Sequence, residues 1–207
     1  ATLRALNLPV QARLGQMRAN LERWRWAPRR LPSLRVELNI ASATLALYDA
    51  GQPALGMRAI VGQARKPTPM FQDVIEAVVF NPPWDVPQGI AVKEIWPKVR
   101  KNPGYMAREG FVVEPDGTLQ QRPGPRCALG AIKFDLPNHF GVYLHDTPAR
   151  QLFARDERNL SHGCMRLEQP ALLARRLLAS APAWPAWRVE AAIASGTTQR
   201  VTLPTPV

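Results

Sequence analysis

Leu34-Arg35-Val36-Glu37-Leu38-Asn39-Ile40 alternates apolar and polar residues without a break. Successive side chains of a β-strand point to opposite faces, so this run fits a strand with one face buried. Thr44 to Tyr48 reads as a second strand, Asp49-Ala50-Gly51-Gln52 as a turn, Met57 to Val61 as a third strand and Val74 to Phe80 as a fourth. Gly130 to Phe134 and Gly141 to His145 resume the series, and Gln199 to Leu203 adds a last strand. Twenty-one prolines and thirteen glycines in 207 residues cut the chain into short pieces. Short strands between Pro/Gly turns predict a mainly β (α+β) domain and exclude alternating βαβ units.

Two helices stand out from this pattern. From Leu8 to Trp26, residues Val10, Leu14, Met17, Leu21 and Trp24 recur at alternating spacings of four and three, a stripe expected to pack on the main domain. An Arg-rich far side also permits a membrane-surface role. Pro170 opens a second helix through Ala179, with Leu172, Leu173, Leu177 and Leu178 expected inward. Between Pro82 and Gln121 the strand series is interrupted. Ala91 to Trp96 suits a short helix, Asn102-Pro103-Gly104 a break and Glu114-Pro115-Asp116-Gly117 a turn. Excursions of this length in compact domains often act as binding loops or covers. The expected organisation is an N-terminal helical segment, 1–30, and a main domain, 31–207, with an insertion at about 96–121.

The balance of 27 Lys+Arg against 16 Asp+Glu gives a formal charge of +11, which attracts polyanions. Zinc-finger spacing, a helix-turn-helix signal and aromatic-basic RNA motifs are missing, so nucleic acid is not the expected partner. An anionic cell-wall polymer or membrane surface accounts for the charge equally well. No apolar run approaches the ~18 residues that a membrane span requires. The chain opens at Ala1 without a Met or a signal peptide, as a processed form would, so its start says nothing about targeting.

The chemistry is concentrated in Ser161-His162-Gly163-Cys164-Met165-Arg166-Leu167 and in Tyr143-Leu144-His145-Asp146-Thr147. A thiol is an effective nucleophile only as thiolate, and near pKa ~8.5 it is only a few per cent ionised at neutral pH. His162 lies two residues from Cys164, and His145 is placed to approach from a neighbouring strand. Gly163 allows a tight turn with exposed N–H groups, the material of an oxyanion pocket. Arg166 supplies a fixed positive charge suited to a carboxylate. Nucleophile, base, oxyanion donors and anion anchor in one short span point to acyl transfer. Cys127, in Pro125-Arg126-Cys127-Ala128-Leu129, reads as a small buried hydrophobe. Three histidines and two cysteines without ligand spacing predict no metal site.

His145-Asp146-Thr147 followed by Ser161 to Leu167 resembles the signature of the L,D-transpeptidases of the YkuD fold. Glu22 to Trp26, Val79 to Trp84 and Pro137 to His145 resemble the larger, lid-bearing periplasmic (YcbB-like) branch, so the likeness covers roughly residues 6–205. It implies a β-sandwich or barrel-like catalytic domain whose insertion is a lid, in the periplasm or cell envelope. It implies peptidoglycan stem peptides as substrates, carbapenem-type β-lactams as inhibitors, and no cofactor. Cys164 would be acylated and His145 would be the base, oriented by a backbone carbonyl at Asp146 or its neighbour. His162, Gly163 and Cys164 would shape the oxyanion pocket. Tyr143 and Arg166 would position the substrate or support the loop, and Ser161, Trp84 and Thr147 would bind the substrate. Two rivals stay open: an L,D-carboxypeptidase or cysteine amidase with water as acceptor, and a binding module without turnover. In an exported chain, a Cys127–Cys164 disulfide would silence catalysis.

Overall fold

A computed structural model describes residues 6–26 and 28–207. The chain divides into two compact units, Ala1–Ser33 and Leu34–Val207. In the first, helix α1 (Val10–Trp26) carries no buried residue. Val10, Leu14, Met17, Leu21 and Trp24 are all exposed, so the stripe finds no cover within its own unit.

The second unit is built on a sheet whose described strands follow the order β1-β2-β3-β11-β9-β8-β4-β12. These are β1 (Arg35–Asn39), β2 (Thr44–Asp49), β3 (Gln52–Gly62), β4 (Ala77–Phe80), β8 (Ile132–Asp135), β9 (Leu144–His145), β11 (Met165–Leu167) and β12 (Gln199–Thr202), with β10 (Asn159–Ser161) beside β3. β1 to β4, β8, β9 and β12 fall at the expected runs, whereas β10 and β11, in and beside the motif segment, were not expected as strands. The turn between β2 and β3 holds Ala50 and Gly51 at φ 49° and 76°, which twists the hairpin in the right-handed sense. This sheet-dominated α+β architecture matches the expected class.

One face of the sheet is covered by helices α5 (Pro170–Leu177) and α6 (Ala186–Ala194). Val78, Phe134, Leu144, Met165 and Leu167 meet Leu173, Leu177, Leu178 and Val189 in the core. The expectation for α5 holds except at Leu172, which is exposed. No element was expected at α6, whose first turn immediately follows Pro185. Trp184 stacks on Phe80 at 5.3 Å and ties α6 to β4. Asn81, at φ 46°, reaches α6 through Nδ2 to the Ala192 carbonyl at 2.8 Å.

The segment standing apart from this sheet runs from Trp84 to Gln121, longer than the expected 96–121. Its stem is set by β5 (Trp84–Asp85), which pairs with β7 (Leu119–Gln121), which in turn pairs with β6 (Phe111–Val113). Short helices fill the space between: α2 (Gln88–Ile90), a π-turn (Ala91–Ile95), α3 (Trp96–Lys101) and α4 (Tyr105–Glu109). Val86, Ala91, Ile95, Phe111 and Leu119 form a core belonging to this insertion alone. Gln121 anchors it below, through Oε1 to the Ala128 N–H and Nε2 to the Arg126 carbonyl, each 2.9 Å.

Gly62, at the end of β3, connects the frame to the motif loop. Its N–H donates to Thr68 Oγ1 at 2.9 Å, and the Thr68 hydroxyl donates to the Gly163 carbonyl at 2.8 Å. A Cβ at Gly62 would lie 2.3 Å from the Lys66 oxygen and 2.5 Å from the Thr68 nitrogen, both backbone atoms. Gly62→Ala is therefore expected to cost about 1–3 kcal/mol of stability, the usual range for overpacking, in a urea titration.

Candidate active site

The site arises from one register. β9 and β11 run parallel, pairing Leu144 with Met165 and His145 with Arg166, while β8 sets Lys133 opposite His145. Paired residues on adjacent strands share a face, so Lys133, His145 and Arg166 form a row on the side away from the α5–α6 core. Tyr143 and Cys164, each two residues before a member of that row, return to the same side. The Met165 N–H donates to the Tyr143 carbonyl at 3.0 Å, placing the two segments side by side. The Tyr143 ring meets the His145 ring edge-on at 5.6 Å, and Lys133 Nζ lies 4.8 Å from the Tyr143 centroid.

His145 is only 4% exposed. Its Nδ1 lies 2.5 Å from the Asp146 carbonyl oxygen, and since a carbonyl only accepts, Nδ1 carries the proton. Nε2 is then the nitrogen with the free lone pair. Burial, reinforced by the Arg166 cation, lowers the His145 pKa from 6.5 to about 3, so the ring is neutral at neutral pH. The backbone-carbonyl partner is the one expected at Asp146. The Asp146 carboxylate points elsewhere, with Oδ2 accepting the Ala131 N–H at 2.9 Å and Oδ1 taking Arg150 at 2.8 Å. Arg150 also reaches the Glu168 carbonyl, tying the ends of β9 and β11 together. Gly130 is needed here, with φ 63° and a virtual Cβ 2.4 Å from Asp146 Oδ2.

Cys164 is half-buried and free. Burial pushes its thiol up, opposed by the Tyr143 backbone and hydroxyl and by the Arg166 and Lys133 cations. A thiolate favoured by a helix N-terminus does not fit this geometry, because β11 separates Cys164 from the start of α5 at Pro170. At neutral pH the sulfur therefore rests as a thiol and the His145 ring rests neutral. Burial also pushes the Tyr143 hydroxyl well above its ordinary value; the Cys164 sulfur adds to this and the Trp84 indole opposes it. Arg166 keeps a buried Nε with no hydrogen-bond partner among the described residues.

Several expected roles change in the folded protein. Ser161 is buried, and its hydroxyl donates to the Cys164 carbonyl at 2.6 Å while accepting the Gly163 N–H at 3.1 Å. It shapes the loop and has no free hydroxyl for a substrate. The same bond occupies the Gly163 N–H expected in the oxyanion pocket, although Gly163 does make the tight turn, at φ 120°. Thr147 is buried as well, accepting the Ala149 N–H at 3.2 Å. His162 Nε2 lies 2.5 Å from Oε1 of Glu94 in the insertion. Cys127 is buried as expected, its sulfur 3.5 Å from the Pro82 carbonyl, and it too is free. Lys133, Thr68 and Glu94 were not singled out in the sequence. Lys133 alone had a legible signal, as the outward residue between Ile132 and Phe134 on the strand preceding His145.

The buried neutral His145 makes stability depend on pH. Between its unfolded pKa of 6.5 and its folded pKa of about 3, the unfolded chain binds a proton that the folded chain refuses. Stability therefore falls as pH drops from 6.5, by at most about 1.4 kcal/mol per pH unit. Urea titrations between about pH 7 and 5.5, above most of the range where carboxylates titrate, should show this slope in the wild type and a flatter line in His145→Gln.

A family model described as the YkuD L,D-transpeptidase catalytic domain matches residues 33–199. A Haemophilus influenzae protein assigned as an L,D-transpeptidase is 35% identical over 178 residues, covering 76% of this chain; the chain spans 36% of that relative's length. Among solved structures, an L,D-transpeptidase from Mycobacterium smegmatis aligns with TM-score 0.42 and 18% identity, over 84% of this chain and 57% of that one. L,D-transpeptidase 3 from Mycobacterium tuberculosis, in complex with a faropenem-derived adduct, aligns with TM-score 0.40 and 17% identity, over 66% and 52%. With the family model spanning most of the chain, the chain belongs to the YkuD family of L,D-transpeptidase catalytic domains.

Proposed function

We propose that this domain is a peptidoglycan L,D-transpeptidase that works through a Cys164 thioester. The observation that carries the reading is the β9–β11 register, which brings Cys164 next to Tyr143 on the face of the sheet that also carries His145, whose tautomer is fixed by the Asp146 carbonyl. The Cys164 sulfur attacks the carbonyl of the diamino acid at the third position of a donor stem, and the thiol proton passes to His145 Nε2. Collapse of the tetrahedral adduct breaks the C–N bond, and His145 returns the proton to the departing D-amino acid. An acceptor amine then attacks the thioester, loses its proton to His145 and forms the new amide as the sulfur leaves and is reprotonated. The Cys164 N–H and the Tyr143 hydroxyl serve as oxyanion donors, since the Gly163 N–H is occupied. Arg166, with an unspent Nε, holds a substrate carboxylate. The Trp84–Gln121 insertion is the lid of the larger periplasmic branch, and the net charge of +11 suits an anionic wall in the periplasm or cell envelope. Carbapenem-type β-lactams act as suicide acyl donors on the same sulfur.

Purified muropeptides incubated with the protein and weighed by mass spectrometry test the assignment. Cross-linked dimer is expected from the wild type and none from Cys164→Ser. A carbapenem should add one mass equivalent at Cys164, and His145→Ala should slow that acylation at least ~100-fold at neutral pH. Hydrolysed donor without dimer would establish the water-accepting rival, and labelling at Cys127 alone would remove Cys164 from its role.

The lid can be tested separately. Trp84 pairs directly with Gln121, so a short Gly/Ser linker can close the gap left by excising 84–121. The excised protein should stay folded, because the insertion's core is its own. Cys164 should still react with a small thiol reagent, while cross-linking falls and a larger share of donor is hydrolysed. An unchanged transfer-to-hydrolysis ratio in a folded variant would dismiss the lid.

A further inference from the structure

The motif loop is fastened at its backbone by two hydroxyls. Ser161 Oγ bridges the Cys164 carbonyl and the Gly163 N–H, and Thr68 Oγ1 holds the Gly163 carbonyl from the other side. Neither hydroxyl restrains the His162 side chain, which stands next to a glycine at φ 120°. Among the described residues, the imidazole's hydrogen-bond partner is Glu94, at 2.5 Å.

Glu94 is itself firmly placed. It lies in the π-turn Ala91–Ile95, between two α-helical segments, and both ends of that turn are buried in the insertion's core. π-Turns of this kind occur frequently at functional sites. The pair is half-exposed, with side-chain accessibilities of 30% and 41%, so its weight in stability is small. Its consequence is the orientation of an imidazole two residues from the nucleophile. The insertion reaches the site by two further routes. Trp84 faces the Tyr143 hydroxyl, and Gln121 holds the 122–131 segment, whose Ala131 N–H bonds the Asp146 carboxylate.

We propose that Glu94 is a positioning residue for the acyl-transfer reaction: its carboxylate fixes the His162 ring, making the insertion a working part of the active site and not only its cover. This rests on the transpeptidase reading above and deepens it. A pure cover would alter access and the fate of the thioester. A positioning carboxylate also alters how fast the thioester forms.

The test measures both half-reactions in Glu94→Ala, Glu94→Gln and His162→Ala. Glu94→Ala should lower kcat for cross-linking about tenfold or more, with donor KM changed less than about twofold, since misplacement near the reacting centre acts on the chemical step. Acylation of Cys164 by a carbapenem should slow in parallel. Glu94→Gln, which can still hydrogen-bond the ring, should recover most of the loss. In a His162→Ala background, Glu94→Ala should add nothing further. The 15N resonance of His162 Nε2 should shift in Glu94→Ala while the melting temperature barely moves. Wild-type acylation by Glu94→Ala, independent additive effects of the two substitutions, or an unmoved His162 resonance would each overturn the proposal. A wild-type protein that cross-links no stem peptide would instead overturn the transpeptidase reading on which it rests.

Discussion

The parallel pairing of β9 with β11 holds the site together. Parallel strands cannot be joined by a tight turn, and here Cys164 lies nineteen positions after His145. The connection is made by a 3₁₀ turn (Arg150–Ala154) and β10, and it is clamped by Arg150, which spans from the Asp146 carboxylate to the Glu168 carbonyl. A slip of one residue would turn His145 and Arg166 into the core and bring Leu144 and Met165 out to the site. The apolar core on the opposite face therefore fixes the chemistry on this one.

That register also sets the electrostatics. Lys133 and Arg166 flank His145 on the same face, and in a buried setting two neighbouring cations disfavour a third charge. Burial is the main reason the imidazole stays neutral, and these cations add to it. The same cations favour the thiolate, but burial of the sulfur outweighs them, so the group rests as the thiol. The Asp146 residue serves twice in this arrangement. Its carbonyl sets the His145 tautomer, while its carboxylate holds the Gly130–Ala131 turn that closes over the strand end.

The insertion is attached at both of its ends and along one side. Asn81 and Trp184 anchor β4 just before the stem, Gln121 anchors the return, and Glu94 reaches across to His162. A separate apolar core gives it shape, and these polar contacts give it a place.

Elements whose period is local were legible before folding: the alternating strands β1 to β4, helix α1, the Pro-initiated α5, and the residue types gathered around Cys164. These follow from side-chain directions that repeat every 2 or 3.6 residues, so neighbours in sequence suffice to reveal them. Whatever depends on distant partners emerged only in the folded chain. The start of the insertion at Trp84 is set by a pairing with Gln121, far along the chain. Ser161 and Thr147 looked like substrate contacts, yet both hydroxyls are absorbed by backbone groups once the loop folds. Thr68 and Glu94 carry no local mark of their roles, and Lys133 only its outward place on a strand, because each meets the motif through the register of the sheet or the placement of the insertion. Leu172 satisfies the helical period and still faces solvent, since the width of the covered stripe on α5 is set by the sheet beneath it. Local periodicity specifies which face a residue takes, and packing alone specifies what that face meets.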